Sequence, residues 1–181
     1  ENTNNGFKIN EDNLNYNRES LFKIGGPLAK KIACHTYAII QIGDWVFVHA
    51  GILPKHITNN SIESINKLVK DIILGKKDKT KLTENEKSLI FGSDGIFWTR
   101  LLSSVVPNCD LVNKSMAALK INKTNGGIVV GHTVQNGINS VCNKNLWKVD
   151  VGMSKAFGER DSSKIQVLEI LNNGEELNII K

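Results

Sequence analysis

Apolar positions along this chain fall into two regimes. The runs "YAIIQIGDWVFVH", "GGIVV", "INSVC", "LWKVD", "IQVLEIL" and "LNII" are short, rich in β-branched residues and broken by turn formers, which predicts strands. Gly43-Asp44 between two such runs predicts a two-residue hairpin turn, and "NKN" and "NNG" predict two more. Between the early and late strands, residues 56–120 change period and read as a helical block. "SIESINKLVKDIILG" places Ile62, Ile65, Leu68, Val69, Ile72 and Ile73 on one stripe, with Gly75 as a stop. Thr83 and Glu86 in "TENE" form a capping box, and "DLVNKSMAAL" from Asp110 is a third helix. Upstream, Pro27 fits the first turn of a short helix. Strands, a helical block and a strand meander predict a layered α/β (α+β) domain over residues 18–181. Residues 1–17, Asn-rich and short of apolar anchors, are expected to be disordered.

Composition narrows the class. The 181 residues are enough for one domain with a sizeable core, and 40% hydrophobic with 23% charged residues is ordinary for a globular protein. The net charge is +5, and much of the excess sits in "KKDKTK" at residues 76–81. No aromatic residue is interleaved there, so it reads as a solvated loop and no nucleic-acid partner is expected. No apolar stretch approaches the length of a membrane span and no signal peptide opens the chain, so no membrane partner is expected either. Cys34, Cys109 and Cys142 are odd in number and lack CxxC spacing. That predicts a reducing, cytoplasmic setting and argues against a disulfide framework or a zinc knuckle. The chain begins on Glu1, which fits a processed product or a piece of a longer protein.

Two apolar runs end on histidines with glycine close by: "WVFVHAGILP" on His49 and "IVVGHT" on His132. Imidazole is the commonest metal ligand, and a ring presented from a strand end is well fixed. Adjacent glycine would let the backbone turn sharply and let an anion approach. Either histidine alone reads more readily as a hydrogen-bonded structural residue; the repetition of the context brings a metal site level with that reading. His35 and His56 have no such context and are expected at the surface.

"VFVHAGI" followed by "IVVGHTVQ" resembles the later metal-binding motifs of the calcineurin-like metallophosphoesterases. "RESLFKIGGPLAKKIA", "IGDWVFVHAGILPKH", "GIFWTR" and "LWKVDVGMSKAFG" further resemble the Shewanella-like branch of the phosphoprotein phosphatases, in order from Arg18 to about Glu169. The resemblance implies the C-terminal half of a metallophosphatase β-sandwich flanked by helices. It implies a phosphoprotein or phosphopeptide substrate, phosphorylated on Ser/Thr or Tyr, and two divalent metal ions, Mn, Fe or Zn. His49 and His132 would be metal ligands, Arg100 of the Trp-x-Arg segment would contact the substrate phosphate, and Asp150 would support a metal-bound ring from behind. Val134, where many phosphodiesterases of the superfamily have a second histidine, points to the phosphatase branch. The family's GDxH, GDxxDRG and GNHE motifs do not occur here, so the catalytic acid and the bridging aspartate are expected in an N-terminal half absent from this sequence. This chain alone would hold at most one ion, weakly. Two rivals stand beside this reading: a diadenosine-polyphosphate or other small phosphoester hydrolase of the same fold, and a non-catalytic scaffold or regulatory relic.

Overall fold

Strand β2 (Trp45–Val48) carries the plan of the molecule. Successive side chains of a strand point to opposite faces. Here Val46 and Val48 enter one buried cluster, while Trp45 enters a second with Phe47 packed against it. Strand β3 (Gly127–Val130) repeats the pattern: Ile128 and Val130 go to the first cluster and Val129 to the second. So does β5 (Leu146–Lys148), through Leu146 and Trp147. These strands form a sheet covered on both faces, which explains their nearly continuous apolar sequence. Its order is β1–β2–β3–β5–β4, with β1 (Ile39–Ile42) and β4 (Asn139–Val141) as antiparallel edges and β2/β3 and β3/β5 parallel. The computed structural model describes residues 17–157 and 165–181.

Helices α3 (Pro54–Ile57), α4 (Ile62–Ile73), α5 (Glu84–Phe91) and α6 (Cys109–Ala118) cover the first face, while α2 (Pro27–His35) packs on α4 and α1 (Arg18–Phe22) on α2. Ile65 and Ile72 of α4, Leu89 and Ile90 of α5, and Val112 and Met116 of α6 supply much of that core. Asn66 of α4 pins the edge strand β1: its side chain accepts from the Ala38 and Ile39 amides at 3.0 and 2.9 Å and donates to the Ile39 carbonyl at 2.8 Å. The second face is covered by a hairpin of β6 (Val167–Leu171) and β7 (Glu176–Ile180), whose Leu168, Ile170 and Leu177 pack on Trp45, Val129 and Trp147. Helices, mixed sheet and second sheet make the layered α/β sandwich the sequence predicts.

Local chemistry sets the ends of these elements. Ser61 caps α4 by accepting from the Ser64 amide, and Thr83 with Glu86 forms the expected capping box on α5. Asn108 caps α6 through the Asp110 and Leu111 amides. Gly75 (φ +73°) follows α4, and Gly43 (φ +58°) makes the β1–β2 turn.

Three expectations need correction. Cys109 and Cys142 form a disulfide, 33 residues apart in sequence. No spacing rule reveals it, because the packing of α6 beside the β4–β5 turn brings the pair together. The cysteine count therefore gives no support to a reducing compartment. His56 lies in the interior, only 4% exposed, because α3, packed against α6, turns it inward. The block 56–120 is also not helical throughout: residues 92–108 form turns, with Ile96, Thr99, Leu102 and Ser103 buried. The expectation for residues 1–17 falls outside the described residues except at Asn17, which caps α1 through the Ser20 amide. No helix among the described residues is long and apolar enough to cross a membrane.

Candidate active site

The parallel register of β2 and β3 places their ends side by side, Val48 opposite Val130. One further ladder bond, from the Gly131 amide to the His49 carbonyl at 2.8 Å, carries the pairing past the strands. His49 and His132 therefore leave the same end of the sheet together. The carboxyl ends of parallel strands are where open α/β sheets bind ligands. His49 Nε2 and His132 Nδ1 lie 3.1 Å apart, with ring centroids 5.0 Å apart. Asp150, after β5, leaves the same end.

The glycines act differently from the sequence expectation. Neither Gly51 nor Gly131 has a positive φ; the left-handed residue is His132 itself, at φ +65°. A non-glycine residue in that region is uncommon and is held there by its surroundings. Gly51 is required for close approach. A Cβ there would meet Thr99 Cγ2 at 2.8 Å and Leu102 Cδ1 at 3.2 Å. The amides of Ala50 and Gly51 reach the Ile96 carbonyl at 3.1 and 3.4 Å. This tight seam lays the "GIFWTR" segment against "HAG" and brings Arg100 to the histidines.

Arg100 Nη1 donates to Thr133 Oγ1 at 2.9 Å and lies 3.4 Å from the His132 carbonyl. The Trp98 ring meets His132 edge-on at 5.9 Å, and Phe97 lies 6.4 Å from His49. Partial burial holds the His132 ring below the ordinary histidine value, and the nearby positive charges of Arg100 and His49 push the same way. The Trp98 backbone and the Asp150 carboxylate oppose that shift. The net result favours the neutral imidazole.

Asp150 is close enough to act on His132 electrostatically, but its Oδ1 accepts from the Gly152 amide at 3.0 Å and its carbonyl accepts from Gln135 at 2.8 Å. Its observed hydrogen bonds stabilise the turn after β5. Arg100 and His132 both line an open cleft of about 920 Å³, with the apolar Phe91, Trp98, Leu101 and Val106 and the polar Ser93, Asp94, Ser104 and Asn108. Thr133 is a participant that sequence reasoning passed over: it stands inside "GHT", but nothing in the string marks its hydroxyl as the seat of Arg100. His35 is exposed and distant in sequence from these elements, as expected. Among the described residues no three His, Cys, Asp or Glu side chains converge.

The mixed sheet between helices and a second sheet is a fold found in solved structures. Solved structures of a cold-active protein tyrosine phosphatase share the fold. One covers 74% of this chain and 36% of its own at TM-score 0.59 and 22% identity. Another, from a psychrophilic Shewanella, covers 76% and 39% at TM-score 0.61 and 22% identity. Among sequences, the uncharacterized protein R398 of Acanthamoeba polyphaga mimivirus is 31% identical over 86% of this chain and 72% of its own length. Shewanella-like protein phosphatase 2 of Arabidopsis thaliana is 34% identical over 74% of this chain and 33% of its own length. No family model matches the chain. The chain belongs to one family with protein R398 and is homologous to the Shewanella-like protein phosphatases. It spans about a third of the Arabidopsis phosphatase and of the solved phosphatase structures it matches.

Proposed function

We propose that this chain is the C-terminal portion of a metal-dependent phosphomonoesterase acting on phosphoproteins, and that it contributes two metal-ligating histidines and a phosphate-binding arginine. The observation that carries the reading is the 3.1 Å approach of His49 Nε2 to His132 Nδ1 beside Arg100. Imidazole–metal bonds of about 2.0–2.1 Å put two neighbouring ligand nitrogens roughly 3 Å apart, so the pair fits one divalent ion. The lowered proton affinity of His132 suits a ligand that must be neutral. Two imidazoles do not complete a coordination shell, and the remaining ligands would come from the GDxH, GDxxDRG and GNHE motifs of an N-terminal half.

When bound, Mn, Fe or Zn would supply an activated water and polarise the phosphoryl group. The chain's own residues do the rest. His49 and His132 present lone pairs from a rigid sheet end. Arg100, anchored through one nitrogen, offers its remaining donors to a phosphate. Phe91, Trp98, Leu101 and Val106, which line the same cleft, would receive the remainder of the substrate. No general acid lies among the residues gathered here, so this chain alone is expected to turn nothing over.

The test compares hydrolysis of an aryl phosphate, with excess manganese, by the 181-residue chain and by a chain extended with the upstream motifs. Activity confined to the extended chain is the expected result. Chelator-sensitive turnover by the 181 residues alone would place the active site elsewhere. The exposed Trp98 and Phe91 of the cleft also suit a stacked base, which keeps a dinucleoside-polyphosphate hydrolase as the second reading. Relative turnover of a phosphopeptide and a dinucleoside polyphosphate by the extended chain separates the two.

A further inference from the structure

Residues 92–108 carry Arg100 but contain no helix or strand to hold it. Ile96 is tied to the "HAG" seam, and from Arg100 onward the polar anchors are few. Ser103, only 1% exposed, places its Oγ 2.6 Å from Thr133 Oγ1, the same oxygen that accepts from Arg100 Nη1 at 2.9 Å. One residue later, Lys148 Nζ donates to the Ser104 carbonyl at 3.3 Å. Immediately beyond, Val105 and Val106 are 93% and 85% exposed. The segment is thus gripped at Ser103 and Ser104 and released into solvent after them.

Lys148 is the unusual member. It is only 4% exposed on the helical face of β5, opposite Val130 and two positions before Asp150. Lysine is seldom buried so completely without a carboxylate partner. Among the described residues Lys148 makes no ion pair, and the Ser104 carbonyl is its hydrogen-bond acceptor. A methionine or leucine of similar volume would fill this place without burying an amino group. Stability therefore does not explain the lysine; the carbonyl it reaches does.

We propose that Thr133, Ser103 and Lys148 form a two-point clamp that positions Arg100 over the histidine pair. Thr133 seats the guanidinium, Ser103 locks the Thr133 hydroxyl to the segment that carries Arg100, and Lys148 holds that segment down from the helical face of the sheet. The three are positioning residues. The clamp's consequence for phosphate binding rests on the function proposed above, whereas its effect on the arginine does not.

The test is made by NMR at low temperature on the arginine Nη–Hη groups of the 181-residue chain, because Nη1 is the Arg100 nitrogen that Thr133 holds; the chain has three arginines, Arg18, Arg100 and Arg160. In the unsubstituted chain the Arg100 side-chain protons should exchange with solvent about fivefold to tenfold more slowly than those of Arg18, the equivalent of one hydrogen bond. Ser103→Ala and Lys148→Met should each bring Arg100 close to Arg18. Thr133→Val should do the same, and Thr133→Ser should restore slow exchange. Lys148→Met should do this without lowering the melting temperature, which a merely structural lysine would not allow. Unchanged Arg100 exchange in folded Ser103→Ala and Lys148→Met variants would overturn the clamp. If the exchange behaves as stated but the extended chain hydrolyses no aryl phosphate, the clamp stands and the phosphate role of Arg100 falls.

Discussion

His49–His132 and His56 show how differently one residue type is used in two regions of the molecule. His56 is buried in α3; its Nδ1 accepts from the Leu53 amide at 3.1 Å, and its Nε2 meets no partner with hydrogen-bond geometry, although the Asp94 backbone lies near. Burial, with Lys55 adding to it, drives its pKa down to about 4. It is a neutral packing and capping residue. His49 and His132 sit at a sheet end, exposed and half-buried, one of them left-handed, each with the other ring as a near neighbour. Burial in the core beside a backbone partner marks structure; an accessible, left-handed place at a sheet end is where chemistry is sought.

The largest expected effect sharpens this contrast directly. In a chain extended with the upstream motifs, His49→Ala or His132→Ala should lower aryl phosphate turnover by several orders of magnitude with little change in melting temperature. His56→Ala should do the reverse, leaving the turnover of folded molecules near that of the unsubstituted chain while reducing stability. Equal losses of turnover from all three substitutions, measured per folded molecule, would break the distinction.

Acidification probes His56 next. Its folded pKa of about 4 lies below the unfolded value of 6.5, so between these pH values the unfolded chain binds a proton that the folded chain does not. Its contribution to stability is complete above about pH 6.5 and is lost as pH falls toward 4, up to about 3 kcal/mol. Urea midpoints from pH 7 to 5 should fall more steeply for the unsubstituted chain than for His56→Gln. His132 shifts in the same direction, so the difference between the two chains is the measurement. Parallel midpoints would mean that His56 is not held neutral by burial.

The two motif glycines provide a smaller effect. Gly51→Ala drives a methyl into Thr99 and Leu102, an overpacking that should cost about 1–3 kcal/mol and shift the Arg100 segment. Gly131→Ala meets its nearest neighbour, the His49 carbonyl, at 3.4 Å and should cost less than about 1 kcal/mol. Thermal melts of the two variants check the order; equal losses would mean that the seam between "HAG" and "GIFWTR" is not tight.

Local signals in the sequence led to much of the fold. The Gly43-Asp44 turn, the Thr83–Glu86 box and Pro27 at the start of α2 act within a few residues of themselves, and each stands where expected. The pairing of His49 with His132 was also legible, because both end apolar runs that had to be strands. The rest depended on tertiary contact. The Cys109–Cys142 bond joins residues that only the packing of α6 brings together. The inward turn of His56 depends on α3 packing against α6. Residues 92–108 have no period to read, yet they hold Arg100 and Ser103, and their course is dictated by the space left at Gly51. Lys148 lies in the expected strand "LWKVD", and no local signal announces its burial beside the Ser104 carbonyl.

The central claim is that His49 and His132 form half of a metal site, and zinc titration of the 181-residue chain tests it most directly. The chain has four histidines, so the imidazole Cε1–H signals report each one separately. The account predicts that His49 and His132 shift together with a single weak binding curve, that His35 and His56 stay put, and that His49→Ala abolishes the response of His132. Independent shifts of His49 and His132, or a response centred on His35, would contradict it.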